Sequence, residues 1–246
     1  MGRHERVAGL ARLDRPGLVV ADLGCGSGRT VRALLTATPP GPRLVHAHDH
    51  VSDLDDDLLA DPRVRSRIVD LDHDLPLPDG SVDRVVSLNV VEHLIDPVAH
   101  LGEVHRVLAR GGLLVLAHSD WDTTLFTSID DALTRELVDR FVAVVPTWAE
   151  RVDGFMGRKL LALADASGSL GNPFEVVDVQ SWADPHRRFD EGSVAFKVAM
   201  GILAAAADDA NLAARSAGWL EGLRHLADAD QFLFTVTDVA VVLRRP

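Results

Sequence analysis

The sequence has almost no sulfur chemistry, no tyrosine and no long apolar run. Cys25 is the one cysteine among 246 residues, which excludes an intrachain disulfide and any zinc site built on several thiolates. No stretch approaches the roughly 18 consecutive apolar residues of a membrane span. The opening MGRHERVAGLARLDRPG carries no apolar run of the signal-peptide kind. Positive charge is also short: 25 Lys+Arg stand against 37 Asp+Glu, a formal net charge of −12. Such an excess repels phosphate backbones and anionic lipid surfaces, so neither nucleic acid nor membrane is the expected partner. A cytoplasmic protein, monomer or homodimer, is the expectation.

What is present is apolar material in quantity. Hydrophobic residues make up 47% of the chain, ample for one buried core. Short β-type runs alternate with helical ones through the first half. Leu18–Leu23, Leu44–His48, Val64–Val69, Val82–Leu88 and Leu113–Ala117 read as strands. Helices are expected over Thr30–Ala37, Ser52–Ala60 and from Asp96-Pro97, a cap followed by a first-turn proline, to Gly111-Gly112. Alternation with short links implies an α/β fold whose parallel sheet is covered on both faces. After Asp120 the rhythm changes to mostly helical sequence. Phe174–Val179 and FLFTVTDVAVVLRR close the strand set. One domain over 1–246, with a helical insertion at about 122–172, is the organisation this suggests.

The stretch ADLGCGSGRT at 21–30 lies between a strand and a helix. Glycines there permit close backbone approach to a ligand, and the helix start offers free N–H groups. A mononucleotide loop needs Gly-Lys-Ser/Thr and has no lysine here; the dinucleotide fingerprint needs a third glycine where Arg29 stands. Asp22, just ahead of the glycines, repels a pyrophosphate and attracts an ammonium group. Asp49, ending the second strand, is placed to accept two ribose hydroxyls. Asp70 and Asp72 follow the third strand. An acid for an amine, an acid for a ribose and a polar clamp for a base suit S-adenosyl-L-methionine, with S-adenosyl-L-homocysteine as product.

ADLGCGSG, DLDHDLPLPDGSVDRVVSLNVVEHLIDP and RVLARGGLLVL together resemble the class I S-adenosylmethionine-dependent methyltransferases, in particular the small-molecule group that includes the ubiquinone/menaquinone-type enzymes. The resemblance spans residues 15–120 and extends loosely beyond them. It implies a Rossmann-like, doubly wound, seven-stranded sheet with an antiparallel last strand. It also implies cofactor contacts from Asp22, Gly24, Gly26, Gly28, Asp49, His50, Asp70, Leu71, Asp72 and Asn89, with Asp72 accepting from the adenine amine.

The remaining candidates concern the methyl acceptor. His118, Asp120 and Asp122 follow the fifth strand with Trp121 among them, where a doubly wound sheet places its ligand. His118, His93 and Asp120 are the catalytic candidates, since a hydroxyl acceptor needs a base. Glu92 and His93 equally suit a loop-holding role. Trp121, Asp122, Trp148 and Phe155 are the substrate-binding candidates, and Phe126 and Met156 are candidate pocket lining on a lid. The acids around 118–131 tilt the reading towards N-methylation of a small molecule in specialised-metabolite biosynthesis. O- or C-methylation, an NAD(P)-dependent oxidoreductase and a non-catalytic cofactor-binding protein are the alternatives. His46, His48 and His50 alternate around Asp49, but a line of imidazoles roughly 6.5–7 Å apart does not close on one ion; no metal is expected.

Overall fold

The computed structural model describes residues 2–37, 40–51, 53–145 and 150–246. The elements in chain order are α1 (Arg3–Leu10), β1 (Val19–Leu23), α2 (Arg29–Thr36), β2 (Leu44–Asp49), α3 (Asp56–Leu59), β3 (Val64–Ile68), β4 (Val82–Leu88), α4 (Pro97–Val107), β5 (Leu108–Phe126), α5 (Asp131–Ala143), α6 (Met156–Ser169), β6 (Glu175–Trp182), α7 (Val194–Ala206), α8 (Ala210–Asp228) and β7 (Phe234–Arg244). The chain divides into two compact units, one of residues 1–118, 158–180 and 239–246, the other of 119–157 and 181–238.

All seven strands contribute to one sheet, in the order β3-β2-β1-β4-β5-β7-β6. β1 pairs in parallel with β2 and β4, β2 with β3, and β4 with β5. β7 runs antiparallel beside β5, as the Gly111–Arg245 and Thr127–Leu233 backbone bonds show. The sheet is the seven-stranded Rossmann-like one that the motifs imply. β1, VVADL, is buried at every position, as a strand covered on both faces must be. Strand order reverses between β1 and β4, and ligands of open α/β sheets bind at such a point, beyond the carboxyl ends of the strands.

Two elements differ from the sequence reading. α4 starts as expected: Asp96 caps it by accepting from Val98 N and Ala99 N at 3.1 and 2.9 Å. It ends at Val107, four residues before the glycines, because the following segment is drawn into the sheet. Gly111 N donates to Arg245 O and Arg245 N to Gly112 O, which makes β5 far longer than Leu113–Ala117. α3 shrinks to one turn; Asp55 and Asp57 at its start clamp Arg32 at 2.9 and 2.6 Å, while Ser52 lies outside the described residues.

The second unit has its own apolar core. Phe126, Leu137, Trp219, Leu223, Phe232 and Phe234 are all buried there. The Phe126 ring sits 4.8 Å from Phe234 and 5.2 Å from Trp219 between centroids. The Trp219 indole donates to Thr134 Oγ1 at 2.9 Å, so the one polar atom of a large buried ring is satisfied. Phe126, a candidate pocket wall on sequence, is instead 4% exposed inside this core, and Met156 is 3% exposed. Apolar residues at such spacing bury because burial of the ring outweighs any gain from leaving it at a surface.

Candidate active site

The site of the first unit assembles at the carboxyl ends of β1, β2 and β4. Register places Asp22 beside Val86 and Leu23 beside Ser87, so the loop after β1 and Asn89 after β4 flank the reversal point. Gly24 has φ +81, and a Cβ on it meets Val90 Cγ2 at 2.2 Å; at Gly28, φ +90, a Cβ meets Leu58 Cδ1 at 2.3 Å. Neither position tolerates a side chain, so the loop is held tight against Val90 after β4 and Leu58 of α3. Asn89 takes the left-handed region at φ +57 while its N–H donates to Ala117 O, a backbone state uncommon outside glycine and concentrated at functional sites.

The two acids have different jobs. Asp49, 7% exposed, accepts from Gly26 N at 2.8 Å through Oδ2 and pairs through Oδ1 with His50 Nδ1, also at 2.8 Å. It ties the end of β2 to the glycine loop, and His50 itself projects into solvent. Asp22 is 1% exposed, and its Oδ2 is buried without a hydrogen-bond partner among the described residues. Burial, and then the nearby Asp49 charge, push its carboxyl up to about 8. A buried acceptor left unmet costs free energy unless a partner arrives; an ammonium group is the partner that removes this cost. The donor set therefore fits the amino-acid end and ribose of S-adenosylmethionine.

The loop after β3 is pinned from two sides. His100 Nδ1 meets Leu71 O at 2.9 Å, and Asp72 Oδ1 accepts from Ile95 N at 2.7 Å and Asp96 N at 3.3 Å. Asp72 thus fastens the β3 loop to the start of α4. Asp70, more exposed, accepts from Asp72 N and lies 3.6 Å from His73 Nε2. Farther along, Arg106 binds Leu75 O and Leu77 O, each at 2.9 Å.

Glu92, which the sequence reads with His93 as a pocket or loop-holding residue, lies between two imidazoles. Its Oε1 lies 3.2 Å from His93 Nε2 and 3.5 Å from His118 Nε2. Glu92 and His118 are 3% and 0% exposed; the His93 side chain is 36% exposed. The signal was available: β4 and β5 are parallel neighbours in register at Leu88 and Ala117, so residues just beyond those positions meet. Cys25 has its thiol pushed up to about 12 by burial and then by Asp22 and Asp49, which makes it a packed residue rather than a nucleophile.

The other acceptor-side candidates belong to the second unit. Asp120 is buried, and a Cβ on Gly157 meets its Cβ at 2.8 Å. Trp121 N donates to Gly154 O, and its ring packs edge-on to Phe141 at 6.0 Å. Asp122 is ion-paired with Arg135. Phe155, half-buried, donates its N–H to Asp153 Oδ1 at 3.1 Å. Trp148 lies outside the described residues.

Comparison with known proteins agrees with this geometry. Residues 21–116 match the family described as a methyltransferase domain. An uncharacterised 37.1 kDa protein of a Streptomyces fradiae transposon is 33% identical over 161 residues, 63% of this chain and 44% of that protein. A "Probable S-adenosylmethionine-dependent methyltransferase" of Mycolicibacterium smegmatis is 34% identical over 119 residues, 47% of this chain and 43% of its own. A ubiquinone biosynthesis O-methyltransferase of Xanthomonas campestris is 34% identical over 113 residues, 44% of this chain and 45% of its own. The matched stretches thus span less than half the length of these relatives. Among solved structures, the YcgJ protein from Bacillus subtilis shares the fold at a TM-score of 0.61 and 17% identity, covering 99% of both chains. The matched methyltransferase domain, residues 21–116, carries the glycine loop, the strand-end acids and the β4 turn, as expected of a class I S-adenosylmethionine-dependent methyltransferase.

Proposed function

We propose that the protein transfers a methyl group from S-adenosylmethionine to a small molecule at a hydroxyl oxygen. The observation that carries this is the buried Glu92 carboxylate shared by His93 and His118. When bound, the cofactor supplies an activated methyl group on a sulfonium. Asp22 takes its ammonium group, Asp49 its ribose hydroxyls and the Asp70–Asp72 loop its adenine. A hydroxyl must lose a proton as it attacks carbon. Glu92, 3.2 Å from His93 Nε2, would stabilise the imidazolium formed when His93 takes that proton. His118, with no exposed surface and its Nε2 3.5 Å from Glu92 Oε1, is a positioning residue.

The acids that favour an amine acceptor on sequence carry less weight in the fold. Asp122 already has a cationic partner in Arg135, and Asp120 is buried. The relation to a ubiquinone O-methyltransferase also supports oxygen over nitrogen. Trp121, Asp122 and Phe155 stay our proposed acceptor contacts. Incubation with S-adenosylmethionine and matched panels of phenols, enols and amines, with S-adenosylhomocysteine release as readout, tests the reading. Turnover with hydroxyl acceptors, falling at least about 100-fold in Glu92→Gln, is expected. Turnover with amines alone, or a Glu92→Gln variant as active as the parent, contradicts it.

A further inference from the structure

β3 is the outer strand of the sheet, beyond β2, and Arg65, Ser66, Arg67 and Ile68 are all exposed on it. Its main chain is used on one side only. Val45 N donates to Arg63 O, and Val69 N to Asp49 O, so the parallel ladder with β2 takes the backbone groups of the odd-numbered residues. The N–H and C=O groups of Ser66 and Ile68 point the other way, along an open edge. Side chains alternate too: Arg65 and Arg67 lie on one face of the sheet, Ser66 and Ile68 on the other. Ile68 is 64% exposed, so the second face offers an uncovered apolar side chain.

The charge on this edge is unbalanced. Other arginines of the same unit meet acids: Arg32 pairs with Asp55 and Asp57, Arg63 with Asp61, and Arg106 with Glu103 and Asp79. Arg65 donates only to carbonyls of its own segment, Pro62 O and Val64 O. Arg67 has no ion-pair or hydrogen-bond partner among the described residues. Register sets the two arginines beside His46 and His48. Burial, and then Arg65 and Arg43, lower His46; burial, and then His46 and Arg67, lower His48. Each charge acting on those rings is thus positive. A second copy of this strand is a poor occupant, since antiparallel pairing centred on Ser66 sets Arg65 against the copy's Arg67, and like charges directly opposite destabilise a pair. A nucleic acid meets the arginines but leaves the outward N–H and C=O groups unpaired. An extended peptide meets both, because its side chains repeat at the strand's own spacing. We propose that the β3 edge is a docking site for an extended, acidic segment of a partner protein, which adds to the sheet as its outermost strand. Its main chain pairs with Ser66 and Ile68, its acids at alternate positions meet Arg65 and Arg67, and an apolar residue on the other face packs on Ile68.

The probe is a capped peptide of alternating glutamate and valine, about seven residues long, titrated into the whole ¹⁵N-labelled protein. A lysine–valine peptide of the same length is the control. The amide signals of Ser66 and Ile68 are expected to shift and to exchange more slowly with solvent, and the lysine peptide to leave them in place. Arg65→Glu combined with Arg67→Glu reverses the charge of the edge. It is expected to weaken the glutamate peptide at least about ten-fold and to admit the lysine peptide instead. Ser66→Pro removes one outward N–H and spares both the arginines and the β2 ladder; it is expected to weaken the peptide about ten-fold, while Ser66→Ala leaves binding unchanged. No shift at β3, equal binding of the lysine peptide by the parent, or unchanged binding in Ser66→Pro each overturns the proposal. Tighter binding of an oligothymidylate than of the glutamate peptide, or a dimer of the protein alone that Ser66→Pro dissociates, overturns it as well. None of these readouts depends on methyl transfer, so failure here and failure of the proposed activity are separate results.

Discussion

Asp22 in the first unit and Asp238 in the second are both buried acids, 1% and 5% exposed, but their surroundings differ. Ser119 donates its hydroxyl to Asp238 at 2.6 Å, whereas Asp22 keeps Oδ2 buried and unmet. Two rings differ in the same way: the Trp219 indole donates to Thr134, while His100 Nε2 has no hydrogen-bond partner among the described residues. At the two acid positions, one buried acid is satisfied within the protein and the other holds an oxygen in reserve, at a cost in stability. The oxygen held in reserve at Asp22 fits the ammonium group of the proposed cofactor.

Variants separate these two roles. The largest effect is expected on the packed side. Phe126→Ala removes a ring from the aromatic core of the second unit and should lower unfolding free energy by about 3–5 kcal/mol, measured by urea titration. Asp22→Asn should act in the opposite sense on stability, since it deletes a group whose charged form is penalised by burial. Thermal denaturation without ligand checks this: an equal or higher Tm is expected, and a large drop breaks the contrast with Asp238. Asp238→Ala leaves the Ser119 hydroxyl without its acceptor and should cost about 1–3 kcal/mol.

A pH dependence follows from the same buried acid, Asp22. The Asp22 carboxyl titrates at about 8 in the folded chain and at about 3.9 when unfolded. In that window the folded state binds the extra proton, so stability is full at low pH and falls as pH rises towards 8. Parent and Asp22→Asn melting curves should therefore converge in acid and separate in mild alkali, the parent being the less stable. His48 contributes with the other sign. Burial first, then His46 and Arg67, lower it to about 4, so its contribution is lost as pH falls from about 6.5 towards 4.

How legible this was varied with the range of the interaction. The parallel strands and the glycine loop were readable because each depends on a local pattern: an apolar run, an acid, glycines at alternate positions. β5 was misjudged in length because its extension past Gly111 depends on Arg245, at the far end of the chain. Asp72 was readable as an acid following the third strand. Its hold on Ile95 N was not, since it needs the loop and α4 brought together. The second unit is assembled from stretches separated by residues 158–180, a division that no local periodicity signals. Phe126, Phe232 and Phe234 read as apolar residues, but their shared core became visible only in three dimensions.

Calorimetric titration of S-adenosylmethionine into the parent protein and Asp22→Asn, repeated from pH 6 to 9, tests the central claim most directly. The account predicts a 1:1 complex of micromolar affinity in the parent, weakened about 30-fold or more in the variant, as loss of a buried charge partner requires. It also predicts parent affinity that climbs towards pH 8, as Asp22 gives up its proton, and falls beyond it as the ligand's amine, with an ordinary value of about 7.7–8.0, loses its charge. No binding by the parent, or equal and pH-independent binding by both proteins, contradicts the assignment of Asp22 and the cofactor site built around it.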